Sequence, residues 1–223
     1  MNSIFGGEVV LATIPFGDIV LYFTPYTLLL FLFAAIFTTL AIISRPERYV
    51  DIAFGTDGYY LKEIAHDQMR FQRFMAIACG LATMGATVTG DIFNFTIFTS
   101  MIGVCCIGIV AGVKNRHVLQ AAYEYGIVIM IAMVPLFGGA AIVAATTGTL
   151  SIFELSAAHA LGTATVPFIA KALLIIGVMG EGMAPFYISK AEITRAQGAP
   201  YILMIHVCSL LIFLRVIEIV ITI

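Results

Sequence analysis

The sequence predicts an all-α integral membrane protein of about six transmembrane helices, forming a single membrane domain over residues 1–223. Three observations carry that prediction. The chain is 61% hydrophobic and 11% charged, whereas a soluble domain carries roughly a quarter charged residues. Six stretches, at about 25–44, 70–89, 91–113, 120–145, 165–187 and 200–222, are long and apolar enough to cross a bilayer. The basic residues crowd into alternate connections between those stretches.

The elements follow in order. Residues 1–24 are apolar but interrupted by Gly6, Gly7, Pro15, Gly17 and Asp18. Such turn chemistry inside an apolar run predicts a hairpin at the membrane surface rather than a span. With six spans, segments 45–70, 113–119 and 188–199 share one side. They hold Arg45, Arg48, Lys62, Arg70, Lys114, Arg116, Lys190 and Arg195, with Arg73 just inside the membrane. Residues 1–24, the 89–91 turn, the 146–164 loop and the C-terminus share the other side and carry no Lys or Arg. The positive-inside rule then predicts a multi-pass protein of the cell membrane, with the basic side cytoplasmic and both termini outside. No cleaved signal peptide is expected. The charged 45–70 segment is expected to be a docking surface or a helix lying on the membrane.

Catalysis and metal binding find no foothold. Cys79, Cys105, Cys106 and Cys208 all lie in apolar runs without a CxxC pair, which predicts small buried hydrophobes. His66, His117, His159 and His206 are too scattered for a haem pair. No metal site and no catalytic residue is predicted, and a soluble catalytic role is excluded by composition.

The informative residues are charges within spans. A bare charge at the bilayer centre costs ~2.5–3.5 kcal/mol on insertion scales, so it usually has a partner and a role. At about 1.5 Å per residue, Glu124, Glu181 and His206 fall in one layer of the cytoplasmic half. Lys171, Arg215 and Glu218 fall in a second layer nearer the outside. Arg215 and Glu218 are three apart and share a helix face, which predicts a structural ion pair. Glu124 is near enough to an end to snorkel. Glu181 adjoins Gly180, Gly182 and Pro185, which together weaken the helix ladder. Broken helices of this kind recur at ion sites, because irregular backbone at membrane depth needs protein or water around it. Glu181, Lys171, Glu124 and His206 are therefore the ion-path candidates.

Several phrases share an order with a known family. Gly90-Asp-Ile-Phe-Asn-Phe opens the third span and Ala121-Ala-Tyr-Glu-Tyr the fourth. Ala144-Ala-Thr-Thr-Gly-Thr-Leu-Ser-Ile-Phe-Glu-Leu155 follows, then Gly177-Val-Met-Gly-Glu-Gly-Met-Ala-Pro-Phe186, then Ala199-Pro200. Over roughly residues 15–222 this resembles the antiporter-like membrane subunits shared by respiratory complex I, Mrp-type cation/proton antiporters and energy-converting hydrogenases. The resemblance implies one five-helix antiporter-like repeat, broken near Gly180–Pro185 and preceded by one helix and the N-terminal hairpin. Family members have two such repeats. They also carry a glutamate where this chain has Ser100, a lysine where it has Gly180, and often a lysine where it has Glu124. The usual Glu–Lys pair is thus absent, and Glu181 stands one residue from the lysine site with opposite sign.

The half length is similar to that of the small membrane subunits of energy-converting hydrogenases in methanogenic archaea. That resemblance implies a non-catalytic subunit of a multi-subunit complex coupling H+ or Na+ flux to ferredoxin reduction with H2. The [NiFe] centre and iron–sulfur clusters would sit on partner subunits, with no cofactor on this chain and no nucleic-acid partner. Two alternatives stand beside it: a purely structural membrane-arm subunit, or a subunit of a cation/proton antiporter. A free-standing transporter is disfavoured, since alternating access generally needs two repeats.

Overall fold

The computed structural model describes residues 10–16, 19–44, 49–53, 59–63, 65–112, 116–162, 165–180 and 201–223. The first element is a β-hairpin: β1 (Ala12–Phe16) pairs antiparallel with β2 (Ile19–Phe23), Ala12 opposite Phe23 and Phe16 opposite Ile19. The chain turns directly from β2 into α1 (Pro25–Ile43). Pro25 opens the helix, where its missing N–H costs nothing. Thr24 and Thr27 close a reciprocal capping box, the Thr24 hydroxyl accepting from Thr27 N at 3.1 Å.

Between α1 and the second helix lies a second hairpin, β3 (Tyr49–Ala53) with β4 (Tyr59–Glu63). Of the two forms expected for the 45–70 segment, a docking surface or a helix lying on the membrane, this replaces the helix over Tyr49–Glu63 and leaves the docking surface. Tyr49, Val50, Ile52, Tyr59 and Tyr60 are strand formers, and that preference prevails over the charges scattered among them.

The long helices then follow: α2 (His66–Val88), α3 (Ile92–Ala111), α4 (Arg116–Thr147), α6 (Phe168–Gly180) and α7 (Ile202–Thr222), with a short α5 (Ile152–Ala160) between α4 and α6. With α1 included, each predicted span contains one helix. Pro25–Ile43, Ile92–Ala111, Leu119–Thr147 and Ile202–Thr222 are long and apolar enough to cross a membrane. In α2 the first two turns carry His66, Asp67, Gln68, Arg70, Gln72 and Arg73, so its apolar part begins at Phe74. The described part of α6 has 13 residues. The 146–164 segment, expected as a loop, contains α5. Ser151 caps it by accepting from Glu154 N.

Packing places α2 between α1 and α3, α4 against α3 and α6, and α7 against α1, α2, α3, α5 and α6. The core they enclose is built from Ala76, Cys79, Ile92, Phe95, Ile102, Tyr125, Leu136, Leu174, Cys208, Ile212 and similar residues. Leu29, Leu32, Phe33 and Ile36 of α1, with Met130, Ile131 and Val134 of α4, face outward, as lipid-exposed helices require.

One end of the bundle is sewn by backbone hydrogen bonds. Gly90 N donates to Val20 O at 2.9 Å, Ile92 N to Leu150 O at 3.0 Å and Ile152 N to Gly90 O at 2.8 Å. The β2 strand, the α2–α3 turn and the α4–α5 connection therefore meet at one point, at the opposite end of α2 from Arg70 and Arg73.

Candidate functional site

Two places in the bundle concentrate the polar residues singled out above. The first is the sewn end. Arg215 on α7 donates through Nη1 to Glu218 Oε2, and the two side chains are buried at 1% and 3% exposure. They are the charged side chains that are buried among the described residues. Arg215 Nη2 also donates to Thr89 O at 2.8 Å. Thr89 is the C-cap of α2, so the guanidinium sits where a helix dipole presents its negative end. Tyr26 on α1 adds a hydroxyl donated to Leu214 O at 3.2 Å. In the hairpin, Tyr22 is close enough to sense the pair. Burial raises its hydroxyl pKa, Glu218 raises it further and Arg215 opposes both. Charge, helix end and hairpin thus form one closed polar knot.

The second place is the seam between α4 and α6. Here the backbones approach through small residues. A Cβ on Gly177 would lie 2.6 Å from Leu136 Cβ and 2.8 Å from Leu136 N. One on Gly180 would collide with Ala132 Cβ, and one on Gly139 would lie 3.0 Å from Ala170 O. Small residues at such positions let membrane helices pack on van der Waals contact. Pro135 lies inside α4 at the same level. It cannot donate to the carbonyl of Ile131, which removes one rung of the helix ladder there. The glycines before Glu181 therefore serve close helix approach, a role separate from the weakening of the ladder.

The candidate residues distribute unevenly over this frame. The described part of α6 ends at Gly180; Glu181, Gly182 and Pro185 lie outside the described residues. Lys171 is half-buried in the first turn of α6. Pro167 places the helix start at Phe168, since Ala170 N and Lys171 N both donate to Pro167 O. Lys171 is accordingly shallower than a span starting at 165 implied. Among the described residues it makes no ion pair, so the expected three-charge cluster reduces to Arg215 and Glu218. Glu124 is exposed on α4 and accepts from Gln120 Nε2 at 2.9 Å. Because α4 has 32 residues, about 48 Å against a hydrocarbon core of about 30 Å, its first turns reach beyond the hydrocarbon. His206 is half-buried in the second turn of α7. Ser100, singled out above by the resemblance, is half-buried and donates to Thr96 O at 2.9 Å.

Hydroxyls in the interior between α2, α3 and α7 donate to carbonyls one turn back. Thr83 donates to Cys79 O, Thr99 to Phe95 O, Thr96 to Phe93 O and Ser209 to Ile205 O, each within its own helix. At the basic end, buried Gln72 donates from Nε2 to Ile109 O at 3.0 Å. Farther in, three thiols from three helices meet: Cys79 Sγ lies 3.4 Å from Cys208 Sγ and 4.0 Å from Cys106 Sγ. Neither this cluster nor the Arg215–Thr89 contact is visible in sequence, since each joins residues far apart in the chain. The glycine seam had a signal in the spacing of Gly177 and Gly180. Among the described residues no group of His, Cys, Asp and Glu is arranged to hold a metal ion.

Comparison with known proteins agrees with this architecture. The whole chain, residues 1–223, matches the family described as NADH dehydrogenase I, subunit N related protein. An uncharacterized protein of Methanocaldococcus jannaschii is 43% identical over 211 residues, covering 94% of each chain.

Proposed function

The chain belongs to the NADH dehydrogenase I, subunit N related family, and from that premise we propose that this multi-pass membrane protein is a non-catalytic subunit of a multi-subunit ion-translocating complex. We assign that complex to the energy-converting [NiFe] hydrogenases, with this chain as a small antiporter-like membrane component of the hydrogenase A type of methanogenic archaea. H+ or Na+ flux would be coupled there to ferredoxin reduction with H2. The metal centres would belong to partner subunits, the basic side would face the cytoplasm and both termini would lie outside. The observation that carries the ion-path reading is the α4–α6 seam. It is closed by glycines against a helix that contains Pro135, and the next residue in the chain after Gly180 is Glu181. A carboxylate beside such a junction can be hydrated and titrate. Lys171 and His206, on the two helices that flank residues 181–200, are its candidates for tuning or relay, with Glu124 at the rim.

The test is Glu181→Gln in the assembled complex. Loss of gradient-coupled ferredoxin reduction, with assembly retained, supports the reading. Unchanged coupling defeats it. A second reading, a purely structural role in the membrane arm, is favoured by Ser100 and Gly180 at positions where relatives carry charge. It predicts intact coupling in Glu181→Gln and no water beside Glu181 in the complex. Isolation in native membranes discriminates the class of complex. Co-purifying hydrogenase subunits support the proposal, and co-purifying cation/proton antiporter subunits replace it.

A further inference from the structure

The buried thiols have no place in ion movement as proposed, yet they are not scattered as small hydrophobes would be. Cys79 of α2, Cys106 of α3 and Cys208 of α7 are each at most 1% exposed and none is in a disulfide. Their sulfurs converge on Cys79, with Cys208 Sγ nearer, at 3.4 Å, than Cys106 Sγ, at 4.0 Å. Cys208 Sγ also lies 4.0 Å from the Cys79 carbonyl oxygen, over the backbone of α2. The helices can come this close because the next residue on α2 is Gly80, whose missing Cβ is filled by Met204 of α7 and Thr38 of α1. A disulfide needs an S–S bond of about 2.05 Å and Cα atoms within about 7 Å. With the Cys79 and Cys208 sulfurs 3.4 Å apart, the bond requires that separation to shorten by about 1.4 Å.

We propose that Cys79 and Cys208 are a thiol-oxidation site, closing a reversible disulfide between α2 and α7 when a membrane-permeant two-electron oxidant reaches the core. With an azodicarboxamide as oxidant, one thiol adds across the N=N bond and forms a sulfenyl hydrazine. The second sulfur then attacks the first, forming the S–S bond and expelling the hydrazine. The hydrazine carries away both electrons and both protons. Cys106 stays reduced because its sulfur is the more distant one. Cys105, on another face of α3, takes no part. Water-soluble, impermeant oxidants are excluded by burial.

The experiment uses the full chain in native membranes. The membranes are treated with the azodicarboxamide, denatured and alkylated. They are then reduced, labelled with a mass-distinct alkylator and read by mass spectrometry. Cys79 and Cys208 are expected to carry the second label in equal amounts, and Cys105 and Cys106 the first. Cys106→Ser should leave this pattern unchanged, and Cys208→Ser should transfer Cys79 to the first label. The proposal is overturned if all four cysteines carry the first label, if Cys79 and Cys106 are the protected pair, or if Cys79 remains protected in Cys208→Ser. Stoichiometric copper in untreated, freshly isolated protein also overturns it, because the thiols would then be ligands of a soft metal ion. Membrane levels of each variant, compared before oxidation, separate loss of the pair from loss of the fold.

Discussion

The sewn end around Arg215 and the α4–α6 seam solve the same problem, holding helices together in lipid, by opposite means. At the sewn end two buried charges, a helix terminus and backbone bridges are cross-linked by hydrogen bonds. At the seam the helices touch through Gly177, Gly180 and Ala132. The lesson concerns where charge can be spared. A carboxylate that already has a guanidinium one turn away, as Glu218 has, is satisfied and structural. Glu181 follows a glycine contact and has no cation three or four residues away in sequence, so local spacing of the kind that pairs Glu218 offers it no partner.

The largest expected effect comes from breaking the sewn end. Arg215→Met leaves Glu218 buried without its partner and should cost ~3–5 kcal/mol. Thermal stability of the membrane-inserted complex checks it. The double variant Arg215→Met/Glu218→Leu should recover much of that loss, and a double-mutant cycle that shows simple additivity would contradict the pairing. Next comes the seam. Gly177→Leu forces α6 away from Leu136 and should destabilise by ~1–3 kcal/mol or more. Gly177→Ala should cost less than Leu. Equal stability of all three proteins would deny the close approach. Lys171→Met sharpens the contrast from the other side. With no ion pair to lose among the described residues, it should move stability by ~1 kcal/mol at most while lowering ion-coupled activity. A large stability loss would show that Lys171 is structural. The smallest effect belongs to Glu124→Gln. Its exposed carboxylate accepts one bond from Gln120, so stability should change by no more than ~0.5 kcal/mol.

How much of the molecule is legible in its sequence depends on the range of the interaction. Spans are local in composition, so hydropathy alone locates helices in all six predicted segments. The Arg215–Glu218 pair is legible because i,i+3 spacing is also local. The hairpin at 12–23 is signalled by Pro15, Gly17 and Asp18. The second hairpin is not, because charges interrupt the aromatic and β-branched residues of the 45–70 segment and mask their strand preference. The depth of Lys171 differs from expectation because Pro167 delays the start of α6. The hold of Arg215 on Thr89 and the meeting of Cys79, Cys106 and Cys208 depend on which helices become neighbours, and no pattern along the chain encodes that.

The bridging of Val20, Gly90, Leu150 and Ile152 has a mechanical consequence. Separating the helices at that end means breaking the backbone hydrogen bonds and the Arg215–Thr89 bond together. At the other end, α1 and α7 border an apolar cavity of about 220 Å³ lined by Phe37, Leu40, Ala41, Ser44, Tyr201, Leu203 and Met204. Cross-helix bonds are present there too, from Gln72 to Ile109 O and from Arg73 to Ile42 O, so the two poles differ in the kind of tie: backbone bridges and a buried guanidinium at one, side chains reaching carbonyls at the other.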